Sequence, residues 1–177
     1  MDEIINLLFS FGKQVTFPKN EFILKAGSIS NKVYYIKEGV VRHFVIDRQG
    51  NEKTIRLSKE QNFFYSSIVS FFKQEPSYIY CQALTDAALM YWDNVTMQRL
   101  FQENPGLMEF RNQQLINFII QKHDKEISLL TKDASTRFEE FNQKHAELYN
   151  RIPHHIIASF LGISPETLSR LRTRIKT

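Results

Sequence analysis

The spacing of apolar residues changes character twice along the chain. Ile4, Ile5, Leu7, Leu8 and Phe11 recur at near-helical intervals, which predicts a short amphipathic helix over residues 2–11 ending at Gly12. From about Val15 to Tyr91 the pattern becomes one of short β-type runs: Glu21–Lys25, Lys32–Lys37, Val40–Ile46, Lys53–Leu57, Tyr78–Leu84 and Ala87–Trp92. Gly27-Ser28, Glu38-Gly39 and the hairpin-like Arg48-Gln49-Gly50-Asn51 break them apart. Several short strands at such spacing predict a small sandwich or barrel-like roll.

The β pattern stops at Asp93-Asn94, either of which can cap a helix over Val95–Asn104. Pro105-Gly106 interrupts the chain, and Leu107 to about Thr131 is then free of Pro and Gly, enough for a helix of roughly 37 Å. Ile116, Ile120, His123, Ile127 and Leu130 follow the 4-3-4-3 spacing of a coiled-coil dimer seam. Met108, Leu115 and Ile119 form a second stripe. A helix apolar on two sides must bury both, so one stripe is expected on the chain's own roll and the other on a partner. The competing arrangement is a single helix sunk into one core. Ser135–Lys144 reads as a further short helix with Phe138 and Phe141 inward.

The sharpest pattern is near the end. His154–Leu161 and Pro165–Ile175 read as two helices joined by a three-residue turn. Ala158 is small where they would cross, Gly162 can take positive φ, and Ile163 fills the corner. Ser164 can cap the second helix, Pro165 suits its first position, and Glu166 complements its dipole. Ile157, Leu161, Leu168 and Leu171 supply the shared core, and Ile175 continues the buried face of the second helix. This is a helix-turn-helix with every constrained position filled. Opposite that face lie Glu166, Ser169, Arg170 and Thr173, donor and acceptor types that read base edges. Ser164, Thr167, Arg172, Arg174 and Lys176 are placed to meet the nucleic-acid backbone.

Charge strengthens this picture. The 177-residue chain carries a net +4, and its last 27 residues hold Arg151, Arg170, Arg172, Arg174 and Lys176 against Glu166 alone, so the whole excess sits at this end. With 42% hydrophobic and 24% charged residues, the composition is that of a globular protein, and 15 Phe favour a ring-rich core. The single Cys81 excludes an internal disulfide and a four-cysteine metal site. The acidic start Met1-Asp2-Glu3 and the lack of a long apolar run predict a cytoplasmic protein with no membrane partner. His154 and His155 diverge by about 100° on a helix, and His43, His123 and His145 are isolated, so no metal site is expected. No phosphate loop, nucleophile elbow or carboxylate cluster appears, so no enzyme activity is expected.

A β-roll with glycine turns, a long helix and a C-terminal helix-turn-helix together resemble the bacterial regulators typified by the cyclic-AMP receptor protein and the fumarate–nitrate regulator. Phe22-Ile23-Leu24-Lys25-Ala26-Gly27, Val33-Tyr34-Tyr35-Ile36-Lys37-Glu38-Gly39, Asn104-Pro105 and Pro165-Glu166-Thr167-Leu168-Ser169-Arg170 fall where that family has equivalents. The resemblance implies an α+β protein: an antiparallel jelly roll like a cyclic-nucleotide-binding domain, a long dimerisation helix, and a helix-turn-helix with a reduced wing. It divides the chain into a sensor roll with flanking helices (1–106), the dimerisation helix (107–133) and a DNA-binding unit (134–177). It implies a dimeric, sequence-specific transcriptional regulator whose partners are double-stranded DNA, a second copy of the chain and RNA polymerase. The alternative is a small-molecule sensor or protein-interaction module that does not itself read DNA.

Departures from that family matter too. Its nucleotide pocket uses a Gly-Glu pair for the ribose and an Arg-Ser pair for the phosphate. The corresponding stretches here are Asn62-Phe63-Phe64-Tyr65-Ser66-Ser67 and Pro76-Ser77-Tyr78, with neither the acid nor the arginine. A buried phosphate without a cation is costly to desolvate. The pair that meets adenine appears as Lys122-His123. Cyclic AMP is therefore not expected, no cofactor is expected, and the effector pocket would be built from Phe64, Tyr65, Ser66, Ser67, Ser77, Tyr78, Lys122 and His123. The N-terminal cysteine cluster of the oxygen-sensing branch is absent.

Overall fold

Two four-stranded antiparallel sheets face each other in the computed structural model, which describes residues 2–175. The strands are β1 (Lys13–Phe17), β2 (Phe22–Leu24), β3 (Lys32–Glu38), β4 (Val41–Ile46), β5 (Glu52–Ser58), β6 (Phe63–Tyr65), β7 (Tyr80–Ala83) and β8 (Ala87–Asp93). Their order is β1-β8-β3-β6 in one sheet and β2-β7-β4-β5 in the other. This is the jelly roll. Leu24, Tyr34, Ile36, Val41, Phe64, Cys81 and Leu89 fill the space between the sheets.

Strand β3 is apolar on both sides, and the structure gives each side work. Tyr34 and Ile36 point into the roll, while Val33 points outward into a second cluster with Leu8, Trp92, Met97, Leu100 and Leu107. That outer cluster holds the helices α1 (Asp2–Ser10) and α3 (Asn94–Glu103) and the start of α4 (Pro105–Thr131) against the first sheet. The Trp92 indole N–H donates to the Leu8 carbonyl at 2.8 Å, so a buried ring keeps its polar atom satisfied. Asp93 caps α3, accepting from the Thr96 N–H at 2.8 Å. Strands β1 and β6 and the helix α2 (Ile68–Lys73) have no counterpart among the sequence-predicted elements. They are three to six residues long, too short to establish a period.

Beyond α4 come α5 (Ala134–His145), a 3-10 turn (Ala146–Asn150), α6 (His154–Leu161) and α7 (Pro165–Ile175). Phe138, Phe141, Leu148, Ile152, Ile157, Leu161 and Leu168 form their common core, and Val40 and Leu84 of the roll join it. Polar groups complete the junction. The Ser159 hydroxyl donates to the Glu52 carbonyl at 3.0 Å and accepts from the Thr54 N–H at 2.9 Å, pinning α6 to β5. Arg151 pairs with Glu60 through two hydrogen bonds, one of 2.9 Å, and Lys59 pairs with Glu147.

Helix α4 meets the expected packing only in part. Both apolar stripes were expected to find partners, one of them the chain's own roll. Beyond Leu107, the half-buried positions are Met108, Phe110, Arg111, Gln114, Leu115, Phe118, Lys125 and Ser128, so the face toward the roll is apolar near its start and polar toward its end. Ile116, Ile120, His123, Ile127 and Leu130 lie about half a turn away and are exposed, Leu130 by 80%. Of the second stripe, Met108 and Leu115 are half-buried and Ile119 is exposed. Among the described residues, no helix is long and apolar enough to cross a membrane.

Candidate nucleic-acid interface and sensor cavity

The turn between α6 and α7 is closed by backbone bonds that only its sequence permits. Gly162 has φ +67°, and its N–H is accepted by the Ser159 carbonyl at 3.2 Å while Ile163 N–H reaches Ala158 at 3.0 Å. This is a Schellman-type ending. Ser164 then caps α7, its hydroxyl accepting from the Thr167 N–H at 3.2 Å. Leu168 and Leu171 are buried against Ile157, Ala158 and Leu161. Glu166, Ser169, Arg170 and Thr173 are exposed together on the other side of the helix.

Within this surface the side chains differ in how firmly they are held. A hydrogen bond from Ser164 keeps the Glu166 carboxyl below the usual carboxylate range, so it is an acceptor at neutral pH. Arg170 donates to the Thr167 hydroxyl at 3.2 Å, and Thr173 donates to the Ser169 carbonyl at 3.1 Å. Arg172 folds back to lie 2.9 Å from His154 Nδ1 and over the Tyr149 ring, while Arg174 is exposed. Lys176 lies outside the described residues. Arg151, part of the basic excess, is engaged with Glu60 of the roll and is therefore spoken for.

A cavity of about 1080 Å³ lies where the roll, α4 and the α5–α6 unit meet. Phe64, Tyr65, Ser67, Tyr78 and Lys122 line it, as do His43, Arg56, Phe118 and Lys125. Ser66 and Ser77 do not line it, and His123 stands exposed on the opposite side of α4. The serines of this region are buried and satisfied by the protein. Ser66 Oγ lies 2.8 Å from Ser30 Oγ, Ser67 caps α2 through the Ser70 N–H, and Ser77 bonds both the N–H and the carbonyl of Ile79. Phe64 is core, stacked on Tyr34 with ring centroids 5.2 Å apart.

His43, Arg56 and Lys125 carry polar chemistry into the cavity and were not singled out from sequence. A signal for His43 was present in the two-residue alternation of β4, where it sits between Val41 and Val45, and no comparable local signal marks Arg56 or Lys125. Burial drives the His43 imidazole down to about 3 and the Lys125 ammonium down to about 7. Lys125 donates to the Ile55 carbonyl at 3.0 Å and sits 3.6 Å from the Phe160 ring centroid, touching β5 and α6 together. Among the described residues, no cluster of side chains could hold a metal ion.

The chain thus runs from an antiparallel jelly roll through a long helix to two short helices joined by a tight turn. Residues 14–104 match the cyclic nucleotide-binding domain, and the chain belongs to that family. Among solved structures it is similar to FixK2 from Bradyrhizobium japonicum, at 14% identity and a TM-score of 0.82, over 93% of this chain and 84% of that one. It is similar also to CLP, a c-di-GMP responsive global regulator of Xanthomonas campestris, at 15% identity and a TM-score of 0.78, over 99% and 92% of the two chains. The catabolite activator protein of Thermus thermophilus matches at 23% identity with a TM-score of 0.61, over 99% and 84%. No curated protein matches the sequence.

Proposed function

We propose that the chain is a dimeric, sequence-specific DNA-binding transcriptional regulator. In this reading residues 1–106 form a sensor roll, 107–133 a dimerisation helix and 134–177 the DNA-binding unit, and no catalytic role is assigned. The observation that carries it is α7, a capped helix with Leu168 and Leu171 buried and Glu166, Ser169, Arg170 and Thr173 displayed on the opposite side. Arg170 suits guanine O6 and N7, and Glu166 suits the cytosine amino group. Ser164, Thr167, Arg172 and Arg174 surround them as backbone contacts, and Lys176 is assigned the same role from sequence. The exposed stripe Ile116, Ile120, His123, Ile127 and Leu130 supplies the two-fold seam. A two-fold dimer sets its recognition helices in successive major grooves, so the operator is a pseudo-palindrome with half-sites about 34 Å apart.

Two variants test this together. Arg170→Ala should cost about 1–3 kcal/mol per half-site and flatten the preference at one base position. Arg174→Ala should weaken all sequences alike and lower the log–log salt slope by about one per subunit. A binding-site selection in which Arg170→Ala keeps every wild-type preference would remove α7 from the reading. Absence of any salt-dependent DNA binding would favour a sensor or protein-interaction module instead.

A further inference from the structure

One row of side chains crosses the inner face of the second sheet. Strand register sets Leu24 opposite Cys81, Cys81 opposite His43, and His43 opposite Arg56. The row therefore passes from apolar core to a cation on β5, the edge strand. His43 Nε2 lies 3.0 Å from the Tyr65 carbonyl, which can only accept, so Nε2 carries the proton and Nδ1 is a bare acceptor. That Nδ1 is buried without a partner. Arg56 donates one hydrogen bond, to the Phe63 carbonyl at 3.2 Å, and its guanidinium lies 4.9 Å from the Phe118 ring centroid. No carboxylate among the described residues pairs with it, and burial draws its pKa down to about 10.

A guanidinium held away from water without an anion costs folding free energy. So does a ring nitrogen with no donor to meet it. His43 and Arg56 both line the same cavity, where Val45 and Phe118 add apolar wall among its polar and charged lining. We propose that this cavity binds an organic carboxylate with an aromatic body, its carboxylate on the Arg56 fork, its ring against Phe118, and a hydrogen-bond donor on His43 Nδ1. The planar fork matches a carboxylate two-point. A cyclic phosphate, by contrast, would look to Ser66, Ser67 and Ser77, and these are already bonded within the protein. The proposal specifies the effector class of the roll and so rests on reading the roll as a sensor, but its test needs no DNA.

Calorimetry on the full chain would compare benzoate, 2-naphthoate and indole-3-carboxylate with their neutral carboxamides and with cyclic AMP. At least one acid should bind saturably, about tenfold or more tighter than its amide, and tighter than cyclic AMP. In Arg56→Met that acid should weaken by about tenfold or more and become equal to its amide, while Arg56→Lys should fall between. The ligand-free Arg56→Met protein should melt no lower than the unmodified one, because an apolar side chain replaces an unpaired cation. If no acid binds saturably, if acid and amide bind alike, if Arg56→Met keeps full affinity, or if cyclic AMP binds most tightly, the assignment is wrong. Any of these results leaves the DNA reading of α7 standing, and failure of DNA binding leaves the carboxylate result intact.

Discussion

Gly162 and Gly39 both hold positive φ, at +67° and +104°, yet a methyl group would meet different surroundings at each. At Gly162 it would come within 2.9 Å of a Leu129 methyl on α4, the end of a flexible side chain. At Gly39 it would press on the Asp86 carbonyl at 2.6 Å, which is backbone. Gly162→Ala should therefore lose about 1–2 kcal/mol, mainly the left-handed backbone strain. Gly39→Ala should lose more, and urea titrations of the two variants give the comparison; equal losses would mean that the β3–β4 turn can shift. His43 supplies a pH effect. Its folded pKa of about 3 lies below the unfolded 6.5, so between those values the unfolded chain binds a proton that the folded chain refuses. Stability should thus be fully present above about pH 6.5 and fall below it, by at most about 1.4 kcal/mol per pH unit. His43→Gln should flatten the decline between about pH 6 and pH 5, where carboxylates contribute little. A slope unchanged in that variant would show that His43 is not held neutral.

At the scale of elements, α4 is the piece whose chemistry is least finished within one chain. Its inward side mixes apolar with polar residues and borders the cavity, while its outward stripe exposes Ile116, Ile120, Ile127 and Leu130. Such a stripe at 4-3-4-3 spacing is expected to be covered by a second copy. Ile120→Asp and Ile127→Asp should each place a charge in that seam and convert dimers to monomers in sedimentation experiments. A single chain mass for the unmodified protein at micromolar concentration would count against the seam. The same variants should leave the far-ultraviolet circular dichroism of the monomer intact, since Ile120 and Ile127 are both exposed.

The whole molecule is held together by one apolar cluster and a set of polar clasps between the roll and the C-terminal helices. Arg151 lowers the Glu60 carboxyl to about 2, and Glu60 also accepts from the Gly39 N–H at 2.8 Å, so one carboxylate links the β3–β4 turn to the segment before α6. Because the folded pKa lies below the unfolded 4.5, this stabilisation is complete above about pH 4.5 and is lost as pH falls toward 2. Both side chains are about one third exposed, so salt should weaken the pair. Arg151→Ala should remove that part of the acid limb and speed hydrogen exchange in α6, with the β3–β8 amides unchanged. If α6 exchanges as before, the apolar cluster alone sets the docking. The cavity lies at this same junction, where a ligand touching Arg56 and Phe118 would also meet Lys125, already bridging β5 and α6. Binding there can shift the balance between docked and released arrangements only by its difference in affinity for the two.

Local patterns made much of this legible in advance. Helices α6 and α7, the Gly162 turn and the Ser164 cap follow from residues within a few positions of each other, because caps and left-handed turns are short-range chemistry. The longer strands were readable from their breakers and the long helix from its lack of them. What could not be read was how distant segments face one another. The stripe spacing on α4 was visible, but which face met the roll depended on the position of β5 and β6, and that face proved to mix apolar with polar residues. Arg151 looked like part of a basic end until folding set it beside Glu60, 91 residues away in sequence. His43 and Arg56 became neighbours only through the β4–β5 register, which a bulge between His43 and Phe44 adjusts. Side-chain types and short-range geometry are local properties that the sequence determines by itself. The pairing of charges, the burial of His43 and Arg56, and the cavity they share depend on long-range packing, which only the tertiary structure decides.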